Sequence, residues 1–179
     1  MKKRIHKAHA KNRRIFLVTS DTYIRSSAQI SEDDNYRYEL CRVWNDALPS
    51  IAFILLNPST ADANIDDRTV EHCVEYAKQW GYGSVSMYNL YAYRTTYPKE
   101  LKARGFPVGP QNDEILATMA ATGIRIIVAW GNNAQSDRVN KVMAIIGHPV
   151  ECLGTNKNGS PKHPARLSYK QHPKPWPYD

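Results

Sequence analysis

An unbroken apolar run, Ile51–Leu56, stops at Asn57-Pro58, and no other stretch restricts the fold of this chain as strongly. Consecutive apolar residues closed by turn formers fit a strand buried on both faces, as at the centre of a parallel sheet. Pro58 has no N–H to give to a ladder, so the strand ends there. Asn57 is then presented at the carboxyl edge of a central strand, where open α/β sheets bind ligands. Ser59, Thr60 and Asp62 supply hydroxyls and a carboxylate beside it.

The spacing of apolar residues sets the elements on either side. Arg14–Thr19 reads as a short strand and Ser20–Asn35 as a serine-rich loop. Tyr36–Trp44 alternates, with Tyr36, Tyr38, Leu40 and Trp44 against Arg37 and Glu39, which predicts a half-buried antiparallel strand near an edge. Val70, Cys73, Val74 and Ala77 fall at helical spacing within Thr69–Trp80, with Asp66 and Asp67 near the positive end of the helix dipole. Ser84–Leu90 reads as a second strand, ending near Asn89 as the first ends near Asn57. Thr95–Gly109 is a Pro/Gly-containing loop with room for a short turn of helix. A helix over Asn112–Thr122, a strand over Ile124–Trp130, a helix over Ser136–Ile146 and a short strand over Val150–Leu153 follow. The tail from Gly154 has no periodicity. This alternation predicts an α/β fold: a three-layer α/β/α sandwich with a mainly parallel central sheet.

Charge is concentrated at one end. Lys+Arg total 24 against Asp+Glu 17, a net +7. Seven of those cations (Lys2, Lys3, Arg4, Lys7, Lys11, Arg13 and Arg14) lie in residues 1–14, so the remainder is nearly neutral. Residues 1–14 read as a flexible basic arm suited to phosphate backbones, and 15–179 as a single domain. Cys41, Cys73 and Cys152 are too dispersed for a zinc cage or disulfide framework, which predicts a reducing, cytoplasmic setting. No apolar run approaches the ~20 residues of a membrane span. The histidines lack ligand spacing, and no G-x-G-x-x-G or Walker A pattern occurs. No metal, cofactor or membrane is expected, and no protein partner is inferable.

Polar residues collect at the carboxyl ends of the expected strands: Asn57, Asn89, Gly131-Asn132-Asn133, and His163 beyond the last. In a parallel sheet these ends share one rim. The Asn89 amide donates and accepts at once, which suits the edge of a pyrimidine. His163 can donate to an oxygen gaining negative charge. Asn57 cannot act as a base; it can orient water or stabilise positive charge through its carbonyl oxygen.

Assembled in order, these stretches resemble the uracil-DNA glycosylase superfamily. Leu55-Leu-Asn-Pro-Ser59 is similar to its water-activating motif, in the branches that carry Asn-Pro. Ser86-Met-Tyr-Asn-Leu90 resembles the strand whose terminal Asn reads the base. Ile127-Val-Ala-Trp-Gly-Asn-Asn-Ala-Gln135 is similar to its Leu-Leu-Trp-Gly-x-x-Ala-Gln stretch, and His163-Pro-Ala-Arg-Leu-Ser168 to its His-Pro-Ser-Pro-Leu-Ser loop. The resemblance implies Asn57 and His163 as catalytic residues and Asn89, Pro58 and Ser59 at the base. It implies Leu167 as the wedge that replaces a flipped base, with Arg166, Ser168 and Lys157 as further nucleic-acid contacts beside Lys2, Lys3, Arg4, Arg13 and Arg14. Ser59 stands where the uracil-specific branch has the Tyr that excludes a 5-methyl group. Arg166 replaces a proline of the His loop, and Asn156–Ser160 is an added polar element. These departures admit a larger or modified pyrimidine, or a nucleotide outside DNA.

A closer resemblance is to a bacterial and phage family, domain of unknown function 1643. It runs through Leu56–Asp62, Trp80–Gly83, Asn89–Arg94, Ala129–Gly131 and Cys152–Gly154 to His163-Pro164. The expectation for function is a DNA glycosylase-like hydrolase of the N-glycosidic bond of a pyrimidine, reached by base flipping. Two alternatives are a non-catalytic nucleic-acid or nucleotide-binding module, and a hydrolase or transferase acting on free nucleotides.

Overall fold

The structure is a computed structural model that describes residues 5–10, 13–20, 22–59, 61–63 and 65–177, with backbone alone for 5–10 and Pro98. Its strands are β1 (Ile5–Ala10), β2 (Arg13–Val18), β3 (Arg25–Ser31), β4 (Arg37–Val43), β5 (Ser50–Leu55), β6 (Ser84–Asn89), β7 (Arg125–Val128), β8 (Glu151–Cys152) and β9 (Lys174–Pro175). The helices are α1 (Arg68–Gln79), α2 (Pro98–Ala103), α3 (Asn112–Ala121) and α4 (Ser136–Ile146). The strands form one nine-stranded sheet in the order β1-β2-β3-β4-β6-β5-β7-β8-β9.

The expectation of a mainly parallel sheet is overturned. Among the described residues only β5–β6, β5–β7 and β7–β8 pair in parallel, and the five other pairings are antiparallel. The reason is connection length. Short links join β1 to β2, β2 to β3 and β3 to β4, too short for a crossover, so these strands fold back on one another. Parallel pairs arise where a helix carries the chain back across, as α1 does between β5 and β6.

Two further expectations change with it. Ser20–Asn35 is not all loop, because it contains β3, in which Ser26, Ala28 and Ile30 are buried between β2 and β4. Residues 5–10, expected within a flexible arm, are β1, hydrogen-bonded to β2 from Ile5↔Val18 to Ala10↔Arg13. Lys2, Lys3 and Arg4 lie outside the described residues. β4 is antiparallel as expected but sits inside the sheet, not near its edge.

The central strand behaves as its composition demands. Ile51, Phe53 and Leu55 face α1, packing with Val70, Cys73, Val74 and Ala77. Ala52 and Ile54 face the other way, toward Leu101 of α2, Leu116 of α3 and Val142 of α4. Each fully buried aliphatic or aromatic side chain contributes about 1.5–3 kcal/mol. Gly83, just before β6, has to be glycine, since a Cβ there would lie 1.8 Å from the Asn45 carbonyl oxygen. None of the described helices is long and apolar enough to cross a membrane.

A bulge in β4 shapes the neighbourhood of the site. The β3–β4 register shifts between Gln29 and Ile30, so that Gln29 pairs Glu39 while Ile30 pairs Arg37. Arg37 and Arg42 are both buried. Arg37 donates to the Ala61 carbonyl, and Arg42 pairs with Asp66 and donates to the Asp62 carbonyl at 2.6 Å. Two cations from one strand thus tether the loop that leaves β5.

Candidate functional site

A cleft of about 650 Å³ opens at the carboxyl edge of the three parallel core strands. Leu56, Asn57 and Ser59 line it from the end of β5, Thr95 and Thr96 from beyond β6, and Trp130 to Asn133 from beyond β7. Asp67, Arg68 and Thr69 enter from the start of α1, and Asn156 and Lys162 to Leu167 from the loop after β8 (Pro164 excepted). Asn57 and His163, more than a hundred residues apart in sequence, therefore meet at one cleft. The mixed sheet still gathers the strand ends because β7, β5 and β6 are adjacent.

Asn57 is fixed by its nitrogen. Its Nδ2 donates to the Thr95 carbonyl at 2.7 Å and to the Pro58 carbonyl at 3.1 Å. Both amide hydrogens are thereby used, and Oδ1 is the atom left for the cleft. The Thr95 N–H donates to Pro58 O at 2.9 Å, closing the same link between the two strand ends. Pro58 is buried behind it, a backbone prop rather than a cleft-lining residue.

His163 begins a 3-10 turn over Pro164–Arg166, and its Nδ1 accepts the Ala165 N–H at 3.4 Å. A neutral ring so bonded carries its proton on Nε2, a donor for a ligand. Burial pulls the imidazole below its ordinary 6.5, partly opposed by Asp67 and reinforced by Arg166 and His72. It is neutral at physiological pH. The loop that carries it is anchored on α1: Tyr76 Oη donates to the Ser168 carbonyl at 3.0 Å, Trp80 Nε1 to the Gln171 carbonyl at 3.1 Å, and Tyr169 stacks on His72 at 4.5 Å. On the other side, Gly131 adopts φ +75 and a Cβ there would meet the His163 Cβ at 3.5 Å. The added element Asn156–Ser160 is a tight turn whose Ser160 hydroxyl donates to Asn132 Oδ1 at 2.6 Å.

The sequence places Asp67 as an acid near the positive end of the α1 dipole. It does cap α1, accepting the Val70 N–H at 2.9 Å, and it also accepts the Ser59 hydroxyl and lines the cleft. Among the described residues it is the one carboxylate lining the cleft, whereas Arg68, Lys162 and Arg166, which also line it, are exposed cations. No sequence signal separates such a residue from an ordinary N-cap. Beneath the cleft, burial pulls the Arg37 guanidinium down to about 9, opposed chiefly by Asp67, so it stays charged at neutral pH.

Other expected contacts are not assembled. Asn89 is only 1% exposed and does not line the cleft, and neither polar atom of its amide has a hydrogen-bond partner. Leu167 lines the cleft and packs, half-buried, against the α1-side core. Ser168 and Lys157 are exposed outside the lining. Arg13 and Arg14 begin β2, far across the sheet from β5, where Arg13 donates to Gln111 at 3.5 Å and Arg14 pairs with Asp34. Among the described residues no group of three or more His, Cys, Asp or Glu converges as a metal site.

A family model matches residues 37–165, which span β4 to the His163 loop. The chain belongs to the protein family of unknown function DUF1643. The cleft from Leu56 to Ala165 falls inside the matched span, while β1, β2, β3, Arg166 and Leu167 fall outside it. No curated protein and no solved structure matches the chain.

Proposed function

We propose that the cleft holds one pyrimidine nucleotide of a DNA strand and that the protein hydrolyses its N-glycosidic bond. The observation that carries this reading is the meeting of the Asn57 amide oxygen and a neutral, Nε2-protonated His163 at one cleft. In this reaction water adds to the anomeric carbon while the bond to the base breaks; the electron pair leaves with the base, and the proton lost by the water neutralises the departing base anion. Nε2–H of His163 stabilises negative charge on the departing base, and Oδ1 of Asn57 holds the water against the sugar as it turns cationic. Asp67 favours that cation by its charge. Arg68, Lys162 and Arg166 suit the flanking phosphates. The motif likeness to the uracil-DNA glycosylase superfamily supports the same division of labour, and the cleft has room for a substituted base.

Preorganised groups of this kind, the His163 donor and the Asn57 acceptor, are worth about 3 kcal/mol each in a transition state. The test is incubation with oligonucleotides carrying uracil, mismatched thymine, and hydroxymethylated or glucosylated pyrimidines, with free base scored by mass spectrometry. Base release from at least one of them, reduced about a hundredfold in Asn57→Ala and in His163→Ala, is the expected result. Full activity in both variants would remove these roles. A binding-only role is the second reading, favoured by the amide at position 57, which cannot take a proton from water. Tight binding of modified-base DNA with no base released on prolonged incubation would decide for it.

A further inference from the structure

A second recess of about 290 Å³ adjoins the cleft, and Asn132 and Asn133 line both. Its other walls are Lys99 and Lys102 of α2, Phe106, and Ala134 and Gln135. Among the described residues no salt bridge engages either lysine, and both are exposed. The nearby carboxylate, Glu100, is turned back to accept the Thr95 hydroxyl. Phe106 is held at φ 57, a conformation that costs a residue with a side chain of this size of order 1 kcal/mol or more and persists only where its surroundings impose it. Its ring packs on Tyr91 at 5.1 Å, and the Tyr91 hydroxyl in turn accepts the Gln135 N–H at 3.1 Å. Tyr97, just before α2 and after the cleft residues Thr95 and Thr96, is 66% exposed.

Lysines without carboxylate partners beside a half-buried aromatic ring are what an unpaired strand needs: charge for phosphates and a flat face for a base. We infer that the nucleotide next to the reacting one crosses the Gly131–Asn133 turn into this recess, its phosphate on Lys99 and Lys102 and its base against Phe106. The substrate is then a polynucleotide with unpaired bases at this side of the cleft, not a free nucleotide. This rests on the nucleotide reading of the main cleft.

The probes are a fluorescent single-stranded oligothymidylate, the same strand in a duplex, and thymidine monophosphate as competitor. The variants are Lys99→Gln with Lys102→Gln, and Phe106→Asn, since Asn tolerates positive φ and removes the ring without added strain. Single-strand affinity is expected to fall about tenfold in each, with a shallower salt dependence in the lysine pair. Thymidine monophosphate binding stays at its wild-type value in both, and the melting temperature stays at wild type in the lysine pair. Unchanged oligonucleotide affinity, or an equal loss toward the mononucleotide, overturns the inference, as does tighter binding of the duplex than of the single strand. If the wild-type protein binds the mononucleotide as tightly as the oligonucleotide, this inference falls and the main-cleft reading stands. If it binds neither, both fall.

Discussion

Asn57 and Asn89 are the same residue at the ends of neighbouring parallel strands, and they have opposite surroundings. Leu55 and Asn89 are register partners, so Asn57 stands two residues further along its strand. Past that point the chain after β6 continues alongside the chain after β5: Leu90 N–H donates to Leu55 O, Tyr91 N–H to Leu56 O and Thr95 N–H to Pro58 O. Asn89 is thus enclosed beneath the rim, and Asn57 stands on it. The Asn57 nitrogen is fully bonded and its oxygen is the amide atom left for the cleft, whereas among the described residues the buried Asn89 amide has no hydrogen-bond partner. A strand-end asparagine is therefore not a site by its position alone; what its amide bonds to decides.

The largest way to break the contrast is to free the loop that follows Asn57. Arg42, with a side chain 1% exposed, is held by Asp66, which also accepts the Tyr23 hydroxyl at 2.7 Å. Asp66→Ala leaves a buried guanidinium without its carboxylate, which is expected to cost about 3–5 kcal/mol. Chemical denaturation measures it, and a loss under 1 kcal/mol would mean that Arg42 does not anchor this loop. The next effect is at Asn57 itself. Asn57→Ala removes two backbone bonds, costing about 1–3 kcal/mol of stability, and the cleft-facing oxygen. Turnover should fall about a hundredfold by the reading above, more than the stability loss can explain while the protein stays folded.

A smaller and more diagnostic effect is the pH profile. The useful form of His163 is neutral, and burial holds its folded value below 6.5, so the donor is retained as pH falls past 6.5 and is lost only lower down. Stability runs the same way. Between the two values the unfolded chain binds more protons, so stability falls as pH drops below 6.5. Asp67→Asn keeps a capping side chain on α1 but removes the charge that raises His163, and should move the acidic limb of the activity profile to still lower pH. A limb that stays put, or one above 6.5, would separate His163 from the rate.

These contrasts also mark what the residues disclosed in advance. Ile51–Leu56 could be placed because a run with no polar break has few places to go, and Pro58 fixed its end. The convergence of Asn57 and His163 followed from adjacent parallel strands, a local property that survived the correction to the sheet as a whole. β3 was not legible because Ser26, Ser27 and Gln29 carry little apolar signal and are covered by neighbouring strands on either side. The interior place of β4 was hidden for a related reason: Arg37 and Glu39 read as a solvent face, yet Arg37 is buried on a contact made far along the chain, as is Arg42. Asp67 shows the same limit, since a cap and a cleft carboxylate have one and the same sequence signature.

The sharpest separation of the two asparagines is the smallest in size. An unpaired buried amide costs about 1–3 kcal/mol relative to one that is satisfied or absent. Asn89→Ala relieves that cost while opening a small void, and the two partly cancel. The expected outcome is a melting temperature at or slightly above wild type and turnover within a few-fold of it, measured beside Asn57→Ala on the same substrate. A hundredfold loss of turnover at an unchanged melting temperature would mean that substrate reaches Asn89. The amide left without partners would then be the base-reading group, with the covering segment Leu90–Thr95 moving to admit it. Asn89→Asp does not distinguish the two cases. A carboxylate enclosed beside the buried Met87 and Leu55 side chains is destabilising whether or not a base binds there, so only the pairing of wild-type stability in Asn89→Ala with lost turnover assigns the amide to the ligand.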